Sequence, residues 1–168
     1  MVPQIKKILY ATDLSENASY AFLYATDMAR RYEAKIVILH SLEPVRHLYG
    51  ERVEAILQEA QTQERRTDIK VIQKDLQGFC KRIETHTNAP CVELVSKILV
   101  PIGHPVEEIL KVADDEDCDA IVLGTHGKGF LRQTFLGSVA GSVLERSRKP
   151  VFVIPLPSEK TKVDWDKT

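Results

Sequence analysis

Cysteine is scarce. The 168-residue chain has three, Cys80, Cys91 and Cys118. An odd count argues against a secreted disulfide framework, and the spacing fits no C-x2-C metal or redox pattern. Each reads as a small buried or half-buried apolar residue. Tryptophan occurs once, at Trp165. Long apolar runs are missing: none approaches the ~20 residues needed to cross a bilayer. The N-terminus, MVPQIKK, lacks the apolar core of a signal peptide. These absences point to a soluble, cytoplasmic protein without a membrane partner. Charge of one sign is missing too. The 23 basic and 24 acidic residues leave a formal net charge of −1, which argues against a broad electrostatic grip on nucleic acid. No internal repeat stands out.

What is present suits one globular domain. Apolar residues make up 43% and charged residues 28%, and a chain of this length buries roughly 70% of its unfolded surface. Residues 1–157 read as a single domain and 158–168 as a polar C-terminal tail. Ile5 to Ala11 reads as a strand buried on both faces, ending in Thr12-Asp13. Ser15 suits a helix N-cap, and Ala18, Ala21, Phe22, Ala25, Ala29 and Tyr32 then recur at helical spacing. Lys35 to His40 is a second strand, rich in β-branched residues. From Val45 to Thr87 two apolar sets follow: Val53, Ile56, Leu57 and Ala60, then Ile69, Ile72, Leu76, Phe79 and Ile83. Both suggest helix, continuous or broken across Gln61 to Asp68.

Asn88-Ala-Pro90 stops that pattern, and Val92 to Val100 reads as a third strand. Pro105 suits the first turn of a helix whose stripe is Val106, Ile109, Leu110 and Ala113. Ala120 to Leu123, Ser138 to Ser147 and Val151 to Ile154 supply a strand, a helix and a last strand. Alternating strands and helices predict a doubly wound parallel α/β sheet. The ends of the first and fourth strands rhyme, Tyr10-Ala-Thr-Asp13 against Leu123-Gly-Thr-His126. If those strands are neighbours at the switch point of the sheet, their carboxyl ends frame one crevice.

The fourth strand leads into Gly124-x2-Gly127, then nine residues, then Gly137-Ser138. Gly124 lets the loop turn, Gly127 and Gly129 permit close approach to backbone, and Gly137 leaves room at a helix entrance. Ser138 offers a hydroxyl and an N–H, and the helix dipole favours negative charge there. Lys128 and Arg132 can approach a terminal phosphate, and His126 can do so or contact another part of a ligand. The pattern is neither a Walker A loop nor a G-x-G-x-x-G fingerprint. By spacing alone it is either an anion cradle or a glycine-rich turn that lets a helix pack on the sheet.

Gly124-Thr-His-Gly127 through Gly137-Ser138-Val139 resembles the G-x2-G-x9-G-[ST] motif of the universal stress protein family. Lys7-Ile-Leu-Tyr-Ala-Thr-Asp13 with Ser15, Leu39-His40 and Gly103-His104-Pro105 are similar to other segments of that family, and the likeness runs from Lys6 to Pro155. The resemblance implies a five-stranded sheet in the order 3-2-1-4-5. It also implies a homodimer through the last strand, and membership of the branch that binds ATP (or ADP or AMP). Carried over by position, Ala11, Thr12 and Asp13 line the adenosine end and Ser41 meets adenine through its backbone. Gly124, Thr125, His126, Gly127, Lys128 and Gly129 flank ribose and phosphates, and Gly137, Ser138, Val139 and Ala140 hold the phosphate tail. Ala11 replaces a common proline. Ala140 stands where a hydroxyl residue often sits, which removes a hydrogen bond to a charged group worth about 1.5–3 kcal/mol.

Other readings are more ordinary. Asp13 serves a ribose or magnesium contact, or partners the first helix, and the two are compatible. His40 reads as a packing residue at a sheet end. His47, His86 and His104 lack partners at metal-ligand spacing, so no metal site is expected beyond magnesium through Asp13. Asp114 to Asp117 with Asp119 lacks the glycine and alternation of a calcium loop and reads as a solvated helix end. No base is aimed at a γ-phosphate in the sequence pattern. A nucleotide-sensing regulatory dimer with weak or no hydrolysis, acting with a protein partner, is therefore preferred. An ATPase or nucleotidyl-transfer enzyme, and an interaction module with an empty crevice, are the alternatives.

Overall fold

Apolar runs without alternation need cover on both sides, and that requirement organises the molecule. The computed structural model describes residues 2–43, 69–86, 90–125 and 136–155. The strands are β1 (Lys7–Ala11), β2 (Lys35–Leu39), β3 (Val95–Leu99), β4 (Ala120–Gly124) and β5 (Val151–Ile154). They form one parallel sheet in the order β3-β2-β1-β4-β5. The register runs Lys7↔Lys35 to Ala11↔Leu39 on one side of β1 and Ile8↔Ala120 to Tyr10↔Val122 on the other.

Successive strand residues face opposite ways, which sorts the core into two layers. On one face Ile8, Tyr10, Ile36, Ile38 and Val122 pack under α1 (Glu16–Tyr32) and the helical residues 69–86, here α2. On the other, Leu9, Val37, Leu39, Ile121 and Leu123 pack under α3 (Pro105–Asp115) and α4 (Ser138–Arg146). Among the described residues no helix is long and apolar enough to cross a membrane.

Four alanines let α1 lie close to the sheet: Ala18, Ala21, Ala25 and Ala29 are all buried. Phe22 is the one fully buried large residue of the helix, with Leu23 and Met28 partly buried against the same core. Its ring centroid sits 4.7 Å from Tyr10 and 5.4 Å from Phe79 of α2. Tyr10 donates from its hydroxyl to the Ala18 carbonyl (2.5 Å), and burial pushes its phenol pKa up. Tyr32, expected on the buried stripe, is 48% exposed. The helix ends there, in a left-handed cap at Glu33 (φ 52°) whose N–H returns to the Ala29 and Arg30 carbonyls. At the other end Ser15 Oγ accepts from Ala18 N–H (3.2 Å). Ser15→Ala is expected to cost about 1 kcal/mol in urea unfolding; an unchanged midpoint would show that the cap does not bear on stability.

Three expectations from the sequence change. The third strand begins at Val95 rather than Val92, because Glu84 Oε1 accepts the N–H groups of both Cys91 (2.7 Å) and Val92 (2.6 Å). That grip bends Cys91–Leu94 into a turn closed by Leu94 N–H on the Cys91 carbonyl (3.0 Å). The buried stripe of α3 includes Val112, while Leu110 is only half buried. Within the acidic run Asp114 and Asp115 are exposed, but Asp119 is structural. Its Oδ2 accepts the N–H groups of Lys6 (2.7 Å) and Lys7 (2.8 Å) and pins the start of β1 beside β4. The expected helix over Val53 to Ala60, the stretch Gln61 to Asp68 and the tail at 158–168 lie outside the described residues.

Candidate functional site

The strand order reverses between β1 and β4, so the loops leaving their carboxyl ends diverge to opposite faces and leave a crevice. A cavity of about 350 Å³ occupies it, within the roughly 300–1,000 Å³ usual for small-molecule sites. Its floor is made by the ends of three central strands, at Ala11, Leu39, Leu123 and Gly124.

One wall is the turn from β1 into α1. Leu14 holds a left-handed conformation (φ 65°), uncommon for a residue other than glycine. Side chains hold that turn. Leu14 N–H donates to Thr12 Oγ1 (3.0 Å), while Ser15 donates to Asp13 Oδ1 from its N–H (3.0 Å) and its hydroxyl (2.6 Å). Asp13 is therefore both the partner of the helix start and a lining residue of the cavity. The compact turn sets Thr12 and Asp13 at the mouth.

The second wall follows β2. His40 donates from Nδ1 to the Thr12 carbonyl (2.8 Å), since a carbonyl can only accept. That bond requires a proton on Nδ1 and fixes the orientation of the ring. Ser41 Oγ donates to the Gly103 carbonyl (2.6 Å), and the Leu42↔Ile102 bridge extends the sheet one step further. Together these contacts tie the loops after β2 and β3 into one flap. Glu43, Pro105 and Ile109 complete this side.

The third wall is the start of α4. Gly137 has φ −65° and ψ 157° and brings no capping side chain. Its own N–H donates to the Thr125 carbonyl (2.7 Å), and Thr125 N–H donates to the Ile154 carbonyl (2.9 Å), so the helix entrance is fastened to β4 and β5. The first N–H to return into the helix is that of Gly141, on the Gly137 carbonyl (2.9 Å). The N–H groups of Ser138, Val139 and Ala140 precede it and have no helical acceptor. No acidic residue lies in that first turn, and all three residues line the cavity. The site therefore presents amide hydrogens and the positive end of a helix dipole on one side, and the carboxylates of Asp13 and Glu43 elsewhere on its lining.

Of the residues singled out from the sequence, Ala11, Thr12, Asp13, Ser41, Gly124, Thr125, Gly137, Ser138, Val139 and Ala140 line this one cavity. His126, Gly127, Lys128 and Gly129, like Arg132, lie outside the described residues. Sequence reasoning did not place Ala18, Leu39, Glu43, Pro105, Ile109 or Leu123 here, and read His40 as packing alone. Pro105 and Ile109 were legible only as helix start and helix stripe. Nothing in their spacing says that α3 reaches the same crevice.

The model of the universal stress protein family matches residues 4–155. Universal stress protein MJ0577 of Methanocaldococcus jannaschii is 30% identical over 165 residues, covering 89% of this chain and 94% of its own length. The solved structure of MJ0577 superposes with a TM-score of 0.72 at 28% identity, over 93% of this chain and 99% of that one. A universal stress protein solved in complex with cAMP shares the fold at a TM-score of 0.59 and 19% identity, over 91% of this chain and 98% of that one. The chain belongs to the universal stress protein family.

Proposed function

We propose that this protein binds an adenine nucleotide, ATP or its products ADP and AMP, in the cavity at the switch point. It then works as a nucleotide-sensing regulatory protein with weak or no intrinsic hydrolysis. The observation that carries the reading is the entrance of α4: three amide N–H groups without helical acceptors, no capping side chain and no acidic residue in the first turn, at residues that all border one cavity. Such an arrangement favours a polyanion, because donors and dipole act together. The carboxylates of Asp13 and Glu43 favour hydroxyl donors over phosphate, which sets the ribose near Asp13 and the phosphates at Ser138, Val139 and Ala140. The base then lies toward His40 and the Ser41 backbone, and His126, Gly127, Lys128 and Gly129 complete the phosphate side. The cAMP held by a protein of the same fold is in keeping with this class of ligand.

Magnesium, when bound with the nucleotide, would be held largely by phosphate oxygens and water, with Asp13 as the protein carboxylate. Asp13 Oδ1 already accepts two hydrogen bonds from Ser15, which suits holding a ligand better than abstracting a proton. A homodimer through β5 is part of the same proposal. That strand is the sheet edge, and Phe152 on it is 37% exposed.

Ligand linkage tests the reading. ATP, ADP or AMP at 100 times its dissociation constant adds about 2.7 kcal/mol of stability, a rise of roughly 5–10 °C in melting temperature. No rise with any of the three would overturn the proposal. Mass spectrometry of small molecules released from the denatured protein identifies the species carried through purification.

A further inference from the structure

The three cysteines are buried but do not have equivalent surroundings. Cys118 has no thiol neighbour, and burial pushes its pKa up to about 11. Cys80 and Cys91 are buried in the same core cluster, and each thiol perturbs the other. Their meeting has a local cause. Cys80 and Glu84 sit four residues apart on α2 and so share one helix face. Glu84 Oε1 then grips the N–H groups of Cys91 and Val92 and draws the turn before β3 back over that face. The Cys80 sulfur beside it and burial hold the Cys91 thiol well above its ordinary range, and Cys91 draws the Cys80 thiol below its own. Burial and the Glu84 carboxylate oppose the second effect.

Cys80 is only 2% exposed, yet it lines a second cavity, of about 380 Å³, between α2 and β3. Gln73, Gln77, Lys81, Ser96 and Lys97 also line it. Lys97 is engaged with Glu116 (2.8 Å), and Gln73 Nε2 donates to the Ile98 carbonyl (3.1 Å). These five polar residues share the lining with Val92, Val95 and Ile98. Cys91 is not among the lining residues.

We propose that Cys80 and Cys91 form a peroxide-oxidisable dithiol, with Cys80 the attacking sulfur reached through the cavity beside β3 and Cys91 the resolving sulfur. In the first step the Cys80 thiolate attacks one oxygen of hydrogen peroxide. An S–O bond forms, the O–O bond breaks, and the departing hydroxide takes a proton and leaves as water. In the second step the Cys91 sulfur attacks the Cys80 sulfenic acid, an S–S bond forms, and the hydroxyl leaves as water with the Cys91 proton. Two thiols are oxidised by two electrons and one peroxide is reduced to two waters. The product ties α2 to the turn that starts β3.

The test is peptide mapping of the full reduced chain after graded hydrogen peroxide. A Cys80–Cys91 crosslink with Cys118 still free is the expected product. The Cys80 thiol should disappear at least about 10-fold faster than that of Cys118, because thiolate character and access set the rate. In the full-length C91S variant the reaction should stop at a sulfenic acid on Cys80, trapped by dimedone. The inference is overturned if Cys80 and Cys91 stay reduced at peroxide levels that oxidise Cys118. A disulfide involving Cys118, or one joining two chains, overturns it equally. If C91S does not fold, the map of the unaltered chain decides.

Discussion

Phe22→Ala is expected to lower the stability of the protein by about 3–5 kcal/mol, a large part of what a single domain has. Phe22 is the one large residue of α1 that is fully buried, and the other buried residues of the helix are four alanines and Thr26. Its ring fills the space between Tyr10 of β1 and Phe79 of α2, and the alanines beside it cannot move in to close the gap. The loss reaches beyond α1. Tyr10 is anchored by its bond to the Ala18 carbonyl, and β1 carries the first wall of the cavity. Melting should fall by roughly 6–20 °C. Tyr32→Ala, on the exposed end of the same helix, should stay within about 0.5 kcal/mol. Urea unfolding of both variants reads the difference. Equal effects would mean that α1 does not dock through Phe22.

Ser138→Asp is expected to move stability and nucleotide binding in opposite directions. A carboxylate in the first turn of α4 meets the dipole and the N–H groups of that turn that lack helical acceptors, and should stabilise the free protein by about 0.3–1 kcal/mol. The same charge occupies the place proposed for phosphate. Losing one charge-assisted hydrogen bond costs about 1.5–3 kcal/mol, so affinity should fall about 10- to 100-fold. Ser138→Asn, similar in size and uncharged, should keep most of the affinity. Titration calorimetry with ATP, together with melting in its absence, measures both quantities. Wild-type affinity in the aspartate variant would place the phosphates away from α4. A general loss of fold would lower stability as well, so the opposed signs separate the two causes.

Local chemistry explains which parts of this structure could be read in advance. Strands β1, β2, β4 and β5 are short apolar runs bounded by breakers, and helices α1, α3 and α4 begin at Ser15, at Pro105 and after Gly137, where capping and glycine rules place them. The sheet order came from the family resemblance, since periodicity does not state which strands are neighbours, and the pairing of β1 with β4 agrees with it. The start of β3 was misplaced because a long-range grip decides it. Glu84 takes the N–H groups of Cys91 and Val92, and no strand propensity in Val92 to Leu94 reveals that competitor. Asp119 was read as a solvated charge for the same reason, as its partners, Lys6 and Lys7, come from the far end of the chain. Within the candidate site, the glycine-rich segment and Thr12-Asp13 were visible as motifs. The contributions of Leu39, Glu43, Pro105 and Ile109 arise only from the way two loops and α3 converge.

The clamp between Asp119 and Lys6 joins positions 113 residues apart, and the crevice lies between strands that it sets side by side. The walls of the pocket therefore come from segments far apart in sequence, one following β1 and another following β4. Until β4 slots in beside β1, there is no place for a ligand to dwell. Under the proposed function, nucleotide binds only after this long-range pairing has formed, so pocket assembly follows the slowest kind of contact in the fold.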